Sequence, residues 1–330
     1  MKSRVLIAIE EFAKASRAAV EMLEEAGFEI IWNESGIPLD FTKDGELYEQ
    51  ADYVIAGLEP YPAAFFEQFK NINAISRIGV GVDAINVSSA TEHSVKVFIT
   101  SDKPSVAVAE LCVSNMIALL RSSFEMSTSL KNGIWNPIQG RDLRGCTVGI
   151  IGLGSIGKEV VRRVRPFGSN IVAYSRTWDE VFTAEHGVER KTMKEVFEQS
   201  NVITIHLPLT EETNGIISKD LIASLQEGSV LLNTSRAGVL DNQALADAIR
   251  EHRVQGAAVD VFDEERDPYP YGDLERVILT PHIGSHTVET RKAMEEMAVK
   301  NLLTYTSLNN ANDPAETREI LAYIDKHSVN

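Results

Sequence analysis

Short runs of apolar and β-branched residues alternate along the chain with longer stretches in which apolar positions recur every three or four residues. The short runs are typical of buried parallel strands, and the longer stretches have the period of amphipathic helices. This alternation predicts an α/β protein with doubly wound parallel sheets, each covered by helices on both faces.

The strand-like runs form two series, so we expect two Rossmann-like sheets. The first series predicts five strands, at residues 4–9, 29–32, 53–56, 74–77 and 96–99. The second predicts six strands, at residues 147–151, 170–174, 202–206, 229–233, 256–259 and 276–279. Six strands alternating with helices are typical of a nucleotide-binding sheet.

Long helical patterns occupy residues 10–27, 104–133 and 288–310. The second pattern begins at a proline, ends near a glycine and is long enough to bridge two lobes. The economical interpretation is that the chain enters the nucleotide lobe on this helix and returns to the first lobe on the third. The last residues predict either an extra helix or a loosely held tail.

Two domains follow from this path and from the length of 330 residues. We predict a discontinuous substrate-binding domain of residues 1–100 and 288–330. Residues 101–287 are predicted to form the NAD(P)-binding domain.

Composition narrows the function classes. The net charge of −16 argues against nucleic acid or an anionic membrane as a partner. No apolar segment reaches membrane-spanning length, and the N-terminal apolar run is too short for a signal peptide, so we expect a cytoplasmic protein. The two cysteines, Cys112 and Cys146, predict reduced thiols rather than a disulfide framework or a metal site.

A dinucleotide fingerprint follows the first strand of the second series. Its glycines are Gly152, Gly154 and Gly157, and Ser155 and Ile156 stand between the last two. In this context the first glycine permits a tight turn, the second admits the pyrophosphate, and the third lets helix and strand pack closely. The phosphates would lie at the helix N-terminus.

The next strand ends in Ser175, Arg176 and Thr177, where an NAD-specific site usually has a carboxylate for the ribose hydroxyls. Two hydroxyls and a guanidinium suit a 2′-phosphate, so we favour NADP over NAD. The alternative is that Arg176 is a solvated cation and that either cofactor binds.

Three residues far apart in sequence suit the reduction of a 2-oxo acid. Arg236 can bind the substrate carboxylate, Glu265 can orient a histidine, and His282 can donate a proton to the alkoxide that forms as hydride arrives. Each of them taken alone has an ordinary structural explanation: a helix-start cation, a member of an acidic surface run, and a turn residue.

The motifs around these residues, in their order after the fingerprint, resemble the D-isomer-specific 2-hydroxyacid dehydrogenase family. They are Asn233-Thr-Ser-Arg236-Ala-Gly238, Asp260-Val-Phe followed by Glu265, Thr280-Pro-His282-Ile-Gly284, Ile78-Gly-Val80-Gly81, Val108-Ala-Glu110, Arg141-Asp-Leu-Arg-Gly145 and His206-Leu-Pro208. The resemblance covers roughly residues 50–305.

The resemblance implies a homodimeric two-domain enzyme with a flavodoxin-like substrate domain and an active site in the interdomain cleft. It implies that Arg236 holds the substrate, that Glu265 partners the histidine and that His282 is the acid. Val80 and Gly81 would bind the substrate carboxylate through backbone N–H groups. Further cofactor contacts implied are His206, Leu207, Pro208, Thr213, Thr234, Asp260 and Gly284, with Asp260 holding the nicotinamide amide.

Several functions stay open. The main prediction is NAD(P)-dependent reduction of a small 2-oxo acid such as glyoxylate or hydroxypyruvate. A phosphoglycerate dehydrogenase is the first alternative, because Arg77 stands where such enzymes meet a distal phosphate. A nucleotide-sensing protein like the corepressors built on this fold is the second. A formate- or phosphite-type dehydrogenase is disfavoured, since no acidic residue follows Tyr174.

Overall fold

The structure is a computed structural model that describes residues 2–262, 267–308 and 314–330. The chain divides into two compact units, Met1–Pro104 with Thr287–Asn330, and Ser105–His286. Each unit contains one parallel sheet with helices packed on it. The predicted α/β class is therefore confirmed.

The sheet of the first unit has the order β2-β1-β3-β4-β5, and all its neighbouring strands are parallel. Its strands are β1 (Arg4–Ile7), β2 (Glu29–Trp32), β3 (Tyr53–Ala56), β4 (Ala74–Arg77) and β5 (Lys96–Ile99). Its helices are α1 (Ala18–Glu25), α2 (Gly45–Glu49), α3 (Ala63–Gln68), α4 (Val87–Glu92), α12 (Val288–Ser307) and α13 (Pro314–His327). The five predicted strands are confirmed, with β1 ending two residues early.

Alternating side chains of these strands pack on opposite faces of the sheet. Val5 and Ile7 of β1 pack in the same apolar cluster as residues of α12, whereas Leu6 packs with the aromatic residues of α2 and α3. Side chains alternate because successive residues of a strand point to opposite faces. The sheet is thus buried on both sides, as its nearly continuous apolar strands predict.

The predicted first helix was too long. Residues 10–13 form turns, residues 14–17 are bends and irregular backbone, and α1 begins only at Ala18. Ala13 adopts φ +62°, and its backbone N–H donates to Glu295 Oε2 at 3.1 Å, so the chain is held out of helical geometry there.

The end of the chain does form the extra helix α13. Val329 then donates to the Val97 carbonyl at 2.9 Å, on the open edge of β5.

The sheet of the second unit has seven parallel strands in the order β12-β11-β10-β9-β6-β7-β8. Its strands are β6 (Thr147–Ile151), β7 (Asn170–Tyr174), β8 (Val188–Arg190), β9 (Val202–Ile205), β10 (Ser229–Asn233), β11 (Val254–Val259) and β12 (Val277–Leu279). The six predicted strands are present within two residues at each end. The short, mostly exposed β8 was missed because Glu189 and Arg190 interrupt any apolar run.

The long helix predicted over residues 104–133 is two helices, α5 (Ser105–Leu120) and α6 (Ser123–Lys131), which meet at an angle of 65°. Ser122 between them has φ +47°, which a continuous right-handed helix excludes. No single helix in the described ranges is long and apolar enough to cross a membrane, although this bent pair satisfies both criteria together. The remaining helices are α7 (Ser155–Val164), α8 (Glu180–His186), α9 (Met193–Gln199), α10 (Lys219–Ala223) and α11 (Asn242–Arg250).

The strand order of the second sheet reverses at β6. From β6 the chain builds outward through β7 and β8, and it then returns to place β9 on the other side of β6. Ligands of doubly wound folds bind beyond the carboxyl ends of the strands at such a point. The gap between the ends of β6 and β9 is therefore where a nucleotide site is expected.

Candidate active site

The fingerprint glycines lie where β6 turns into α7. Gly152 has φ +98°, and a β-carbon on it would lie 2.5 Å from the carbonyl oxygen of His206. A β-carbon on Gly157 would lie 2.2 Å from the carbonyl oxygen of Gly152. Packing within the protein itself therefore requires glycine at both positions.

Gly154 differs from its two neighbours, because a β-carbon on it would meet no atom within 4 Å. It directly precedes Ser155, the first residue of α7. The first N–H groups of a helix have no acceptor within that helix and favour an anion. The open space at Gly154 and the start of α7 together fit the pyrophosphate of a dinucleotide.

The segment that follows β7 lies beside this loop. Tyr174 pairs with Ile151, and its carbonyl accepts the Gly152 N–H at 2.8 Å. Ser175 is half-buried, and Arg176 and Thr177 are exposed. A polar segment of this kind next to the glycine turn is where the adenosine ribose of a dinucleotide binds.

The nearest carboxylate after β7 belongs to Asp179, and it is already engaged. Lys158 Nζ donates to Asp179 Oδ2 at 2.6 Å, and the Phe182 N–H donates to Oδ1 at 3.0 Å. These bonds, the one from Lys158 first, lower the pKa of Asp179. Asp179 serves as the N-cap of α8, so it does not replace the missing ribose-binding acid.

His206 follows β9, across the switch point from Gly152. Its Nε2 lies 3.0 Å from Thr204 Oγ1, whereas its Nδ1 is buried without a hydrogen-bond partner. Burial lowers the pKa of His206 to about 3, so the ring is neutral at physiological pH. An unsatisfied buried nitrogen beside the expected nucleotide site is a polar group that a ligand could satisfy.

The loop after His206 carries Leu207, Pro208 and Thr213. Thr213 Oγ1 donates to the Pro208 carbonyl at 2.6 Å and accepts the Thr210 N–H at 2.8 Å, which closes the loop on itself. The Thr210 hydroxyl is the main cause of a lowered pKa at Glu212, and the charge of Arg176 adds to it. Arg176 and this loop therefore lie close together.

Arg236 is held by a turn that follows β10. Asn233 Oδ1 accepts the Ser235 N–H at 3.0 Å, and Asn233 Nδ2 donates to the Arg236 carbonyl at 2.9 Å. Arg236 Nη1 donates to the Ser235 carbonyl at 2.7 Å. The side chain of Asn233 thus fixes the backbone from which the half-buried Arg236 extends.

Thr234, in the same turn, touches Cys112 of α5. The Cys112 sulfur lies 3.3 Å from Thr234 Oγ1, and both residues are buried. Burial raises the pKa of the Cys112 thiol to about 11, so it is protonated at physiological pH. Cys112 therefore supports the turn of the candidate site as a neutral group.

His282 lies in a loop that the buried carboxylate of Asp260 holds at three points. Asp260 Oδ1 accepts the Thr280 hydroxyl at 2.6 Å and the Ile283 N–H at 2.8 Å. Asp260 Oδ2 accepts the Gly284 N–H at 2.8 Å. Between these anchors His282 is exposed and adopts φ +53°, in the left-handed region.

Such a conformation is costly for a residue with a side chain, and it persists only where the surroundings impose it. The Asp260 anchors are those surroundings. Gly284 allows the close approach, because a β-carbon there would lie 3.1 Å from Asp260 Oδ2. Glu265, the predicted partner of His282, falls outside the described residues.

The predicted substrate residues of the first unit follow β4. Arg77 is only 6% exposed, and its guanidinium lies against Gly79, where a β-carbon would sit 1.6 Å from Nη1. Gly79 has φ +144°, and its N–H donates to Thr100 Oγ1 at 2.8 Å. Beyond it, Val80 is exposed and Gly81 is half-buried, so this backbone is open to a ligand.

Sequence reasoning gave no individual role to Asn233 or Thr280. Each hydrogen-bonds within the loop that carries a predicted catalytic residue, and each stands at or just after the end of a strand. That position beside Arg236 or His282 is the signal that could have found them.

Comparison with known proteins is consistent with this geometry. The model of the family described as "D-isomer specific 2-hydroxyacid dehydrogenase, NAD binding domain" matches residues 113–284. A hydroxypyruvate reductase of Thermotoga maritima is 35% identical over 249 residues, which cover 72% of this chain and 79% of that protein. The chain belongs to the D-isomer-specific 2-hydroxyacid dehydrogenase family.

Other family members differ in length and name. A D-3-phosphoglycerate dehydrogenase of Methanocaldococcus jannaschii is 36% identical over 283 residues, or 83% of this chain, and the match spans only 53% of that protein. The structure of a glyoxylate reductase from Paecilomyes thermophila superposes with a TM-score of 0.81 at 28% identity, covering 92% of this chain and 95% of that one.

The family's NAD-binding domain contains much of the candidate site. The matched range includes the glycine turn, the segment after β7, the turn that carries Arg236 and the loop held by Asp260. Arg77, Val80 and Gly81 lie outside that range. These three residues belong to the first unit.

Proposed function

We propose that this member of the family reduces a small 2-oxo acid to the 2-hydroxy acid, with glyoxylate and hydroxypyruvate as the leading substrates. The observation that carries the proposal is the Asp260 carboxylate, which holds an exposed histidine in a left-handed conformation within the nucleotide-binding unit. Bound reduced nicotinamide supplies the hydride. A proton from the protein completes the hydroxyl group.

His282 is the proton donor in this proposal. Histidine is the residue type whose ordinary pKa lies closest to neutral pH, which suits a general acid, and the side chain of His282 is exposed. Because the backbone of His282 is anchored, the position of its side chain is restricted before substrate binds. Less conformational entropy is therefore lost on binding. Glu265 is proposed to accept the other ring N–H and so to favour the charged, proton-donating form.

Arg236 and the loop after Arg77 are proposed to bind the substrate carboxylate. The backbone of Arg236 is fixed by Asn233, which orients a guanidinium that can form two parallel bonds to a carboxylate. Val80 and Gly81 offer backbone N–H groups in an accessible segment. Arg236 also polarises the carbonyl that receives the hydride.

For the cofactor we propose NADP in preference to NAD. Ser175, Arg176 and Thr177 follow β7 beside the glycine turn, and the nearest acid, Asp179, is paired with Lys158. A 2′-phosphate would therefore meet a guanidinium and two hydroxyls, and the carboxylate of Asp179 is already engaged. Arg176→Gln should weaken NADPH binding about tenfold and leave NADH binding unchanged. Equal losses for both cofactors would contradict the phosphate role.

We further propose a cytoplasmic homodimer that needs neither nucleic acid nor a membrane. Both cysteines are buried free thiols, which suits a reducing compartment. The names of the relatives, two reductases and a dehydrogenase, favour an enzyme over a nucleotide-sensing protein. Phosphoglycerate dehydrogenase activity remains the second candidate, because that relative is 36% identical over the matched residues.

The test is loss of absorbance at the reduced-nicotinamide band, with NADPH and NADH separately, against glyoxylate, hydroxypyruvate, phosphohydroxypyruvate and pyruvate. We expect fastest turnover with NADPH and a small neutral-tailed substrate. His282→Asn should lower kcat at least a hundredfold while NADPH binding is retained. Cofactor binding without turnover of any 2-oxo acid would instead support the sensor.

A further inference from the structure

A salt bridge beside the glycine turn has no role in the proposed reaction. It joins Lys158 of α7 to Asp179, the residue before α8, and Lys158 Nζ lies 2.6 Å from Asp179 Oδ2. The two side chains are 28% and 42% exposed. A partly exposed pair of this kind contributes little to stability. Its charges nevertheless act on any ion that binds nearby.

The salt bridge lies at one end of the polar segment that follows β7, residues 175–177. At the other end of this segment, the Tyr174 carbonyl accepts the Gly152 N–H at 2.8 Å. Gly152 belongs to the turn from β6 into α7, and Lys158 belongs to α7 itself. Both ends of the segment are therefore bound to the part of the unit that carries the glycine fingerprint.

Asp179 is close enough to this segment to affect an anion bound there. Consecutive Cα atoms are about 3.8 Å apart, so those of Arg176 and Asp179 are separated by at most about 11 Å. The Debye length at physiological ionic strength is about 8 Å, so the charge of Asp179 is only partly screened over this distance. A carboxylate that lacked its lysine would therefore oppose an anion beside Arg176.

Asp179 does not depend on Lys158 alone for its position. Its Oδ1 accepts the Phe182 N–H at 3.0 Å, which caps α8. The preceding Trp178 packs against the apolar core of the unit, and the guanidinium of Arg190 lies 5.2 Å from the centre of its ring. Carboxyl groups ordinarily titrate well below neutral pH. Loss of Lys158 would therefore leave a negative charge in the same place.

Glu212 is a second carboxylate near Arg176. The Thr210 hydroxyl donates to Glu212 Oε2 at 2.6 Å and is the largest cause of the lowered pKa of Glu212, to which the charge of Arg176 adds. Lys158 and Arg176 thus balance the charges of Asp179 and Glu212. Without Lys158, one negative charge would be in excess around the segment after β7.

We infer that Lys158 is a specificity-determining residue for the cofactor, which neutralises Asp179 so that residues 175–177 can accept the 2′-phosphate of NADP. The inference rests on the proposed binding of the cofactor beside this segment. NAD has the same pyrophosphate but lacks the 2′-phosphate. The charges of Lys158 and Asp179 should therefore change the ratio of the two cofactor affinities.

The test is a fluorescence titration with NADPH and with NADH of wild type, Lys158→Met, Asp179→Asn and the double variant. Methionine keeps an unbranched chain beside the Phe182 ring, whose centre lies 5.2 Å from Lys158 Nζ, and asparagine keeps an oxygen to cap α8. We expect the ratio of NADPH affinity to NADH affinity to fall about threefold in Lys158→Met and to rise about threefold in Asp179→Asn. The double variant should return to the wild-type ratio.

A second salt bridge of the same unit supplies matched controls. Arg253 Nε lies 2.8 Å from Glu251 Oε2, just before β11 begins. In a parallel sheet the strands begin at one edge and end at the other, so this pair lies at the edge opposite residues 175–177. Arg253→Met and Glu251→Gln alter the net charge as the test variants do, and they should leave the affinity ratio unchanged.

The titrations need no turnover, so they separate this inference from the proposed function. A wild-type protein that binds NADH more tightly would contradict the proposed cofactor, but Asp179→Asn should still shift the ratio toward NADPH. The same ratio in all four proteins would overturn the inference. Because ions screen exposed charges, the shifts should also shrink as salt is raised. Shifts that did not depend on salt would mean that the variants alter the shape of the segment, and this result would also overturn the inference.

Discussion

Asp260 illustrates how a single side chain can fix the conformation of a whole loop. Its carboxylate accepts three hydrogen bonds from the loop that carries His282, and it is 1% exposed. In Asp260→Asn, the amide NH2 of the new side chain would face a backbone N–H of the loop, so a buried donor would have no acceptor. An unpaired buried donor lowers the free energy of unfolding by on the order of 2 kcal/mol. We expect urea denaturation to show a loss of this size, together with a fall in kcat.

Asp142→Asn is the control for that change, because Asp142 is exposed and lies in the same unit. It should alter neither stability nor turnover. If Asp260→Asn were as stable and as active as wild type, the left-handed conformation of His282 would need another cause.

His206 gives a prediction about pH. Burial lowers its pKa to about 3, whereas an unfolded histidine titrates near 6.5. Between these values the unfolded state binds a proton that the folded state does not, so stability is full above pH 6.5 and falls as the pH is lowered. From pH 7.5 to 5.5, wild type should lose about 1 kcal/mol more unfolding free energy than His206→Gln.

Parallel losses in the two proteins would mean that His206 is accessible to protons in the folded state. The comparison with His206→Gln cancels the titration of the other histidines, since the chain has seven in all.

At the scale of elements, the turn from β6 into α7 separates two roles of glycine. A β-carbon on Gly157 would lie 2.2 Å from a carbonyl oxygen, whereas one on Gly154 would meet nothing within 4 Å. Gly157→Ala should therefore destabilise the protein by several kcal/mol, on the order of 3. Gly154→Ala should leave the melting temperature unchanged and weaken NADPH binding at least tenfold.

Thermal melting and fluorescence titration of NADPH would measure these two effects on the same pair of proteins. A stable Gly154→Ala variant with wild-type affinity would exclude close approach of the pyrophosphate at that residue.

The strands of both sheets could be predicted from sequence because buried parallel strands are continuous apolar runs, and these stand out between polar helices. Helix ends were harder, since local tertiary contacts decide them. The hydrogen bond from Ala13 to Glu295 joins residues 282 positions apart. The break at Ser122 has no proline or glycine to mark it. The short strand β8 was missed because only one of its three residues is apolar.

For the candidate site, too, local sequence patterns could be interpreted and long-range contacts could not. The motifs supplied the residue types and their order, so Arg236 and His282 could be named from sequence. The anchors of these residues could not be predicted, because the hydrogen bond from the Gly284 N–H to the Asp260 carboxylate spans 24 residues and depends on how strand ends align. The conformation of His282 likewise depends on that alignment and has no signature in the residue itself.

At the scale of the whole molecule, one surface in the described part of the chain exposes several large apolar side chains. Helix α6 buries none of its side chains, and the segment from Phe124 to Trp135 exposes four large apolar residues. They are Phe124 at 62%, Leu130 at 55%, Ile134 at 56% and Trp135 at 83%. An exposed apolar surface of this kind marks an interaction site, and a second copy of the chain is the occupant that the proposed homodimer requires.

Sedimentation or light scattering should therefore give a mass near twice the 36.4 kDa of the chain. Leu130→Glu should shift the protein toward the monomer, because a charge buried without a partner at the interface opposes association. Ile37→Glu is the control, since Ile37 is 58% exposed but lies in the first unit, away from this segment in sequence. If the dimer persisted in Leu130→Glu and dissociated in Ile37→Glu, the interface would lie in the first unit instead.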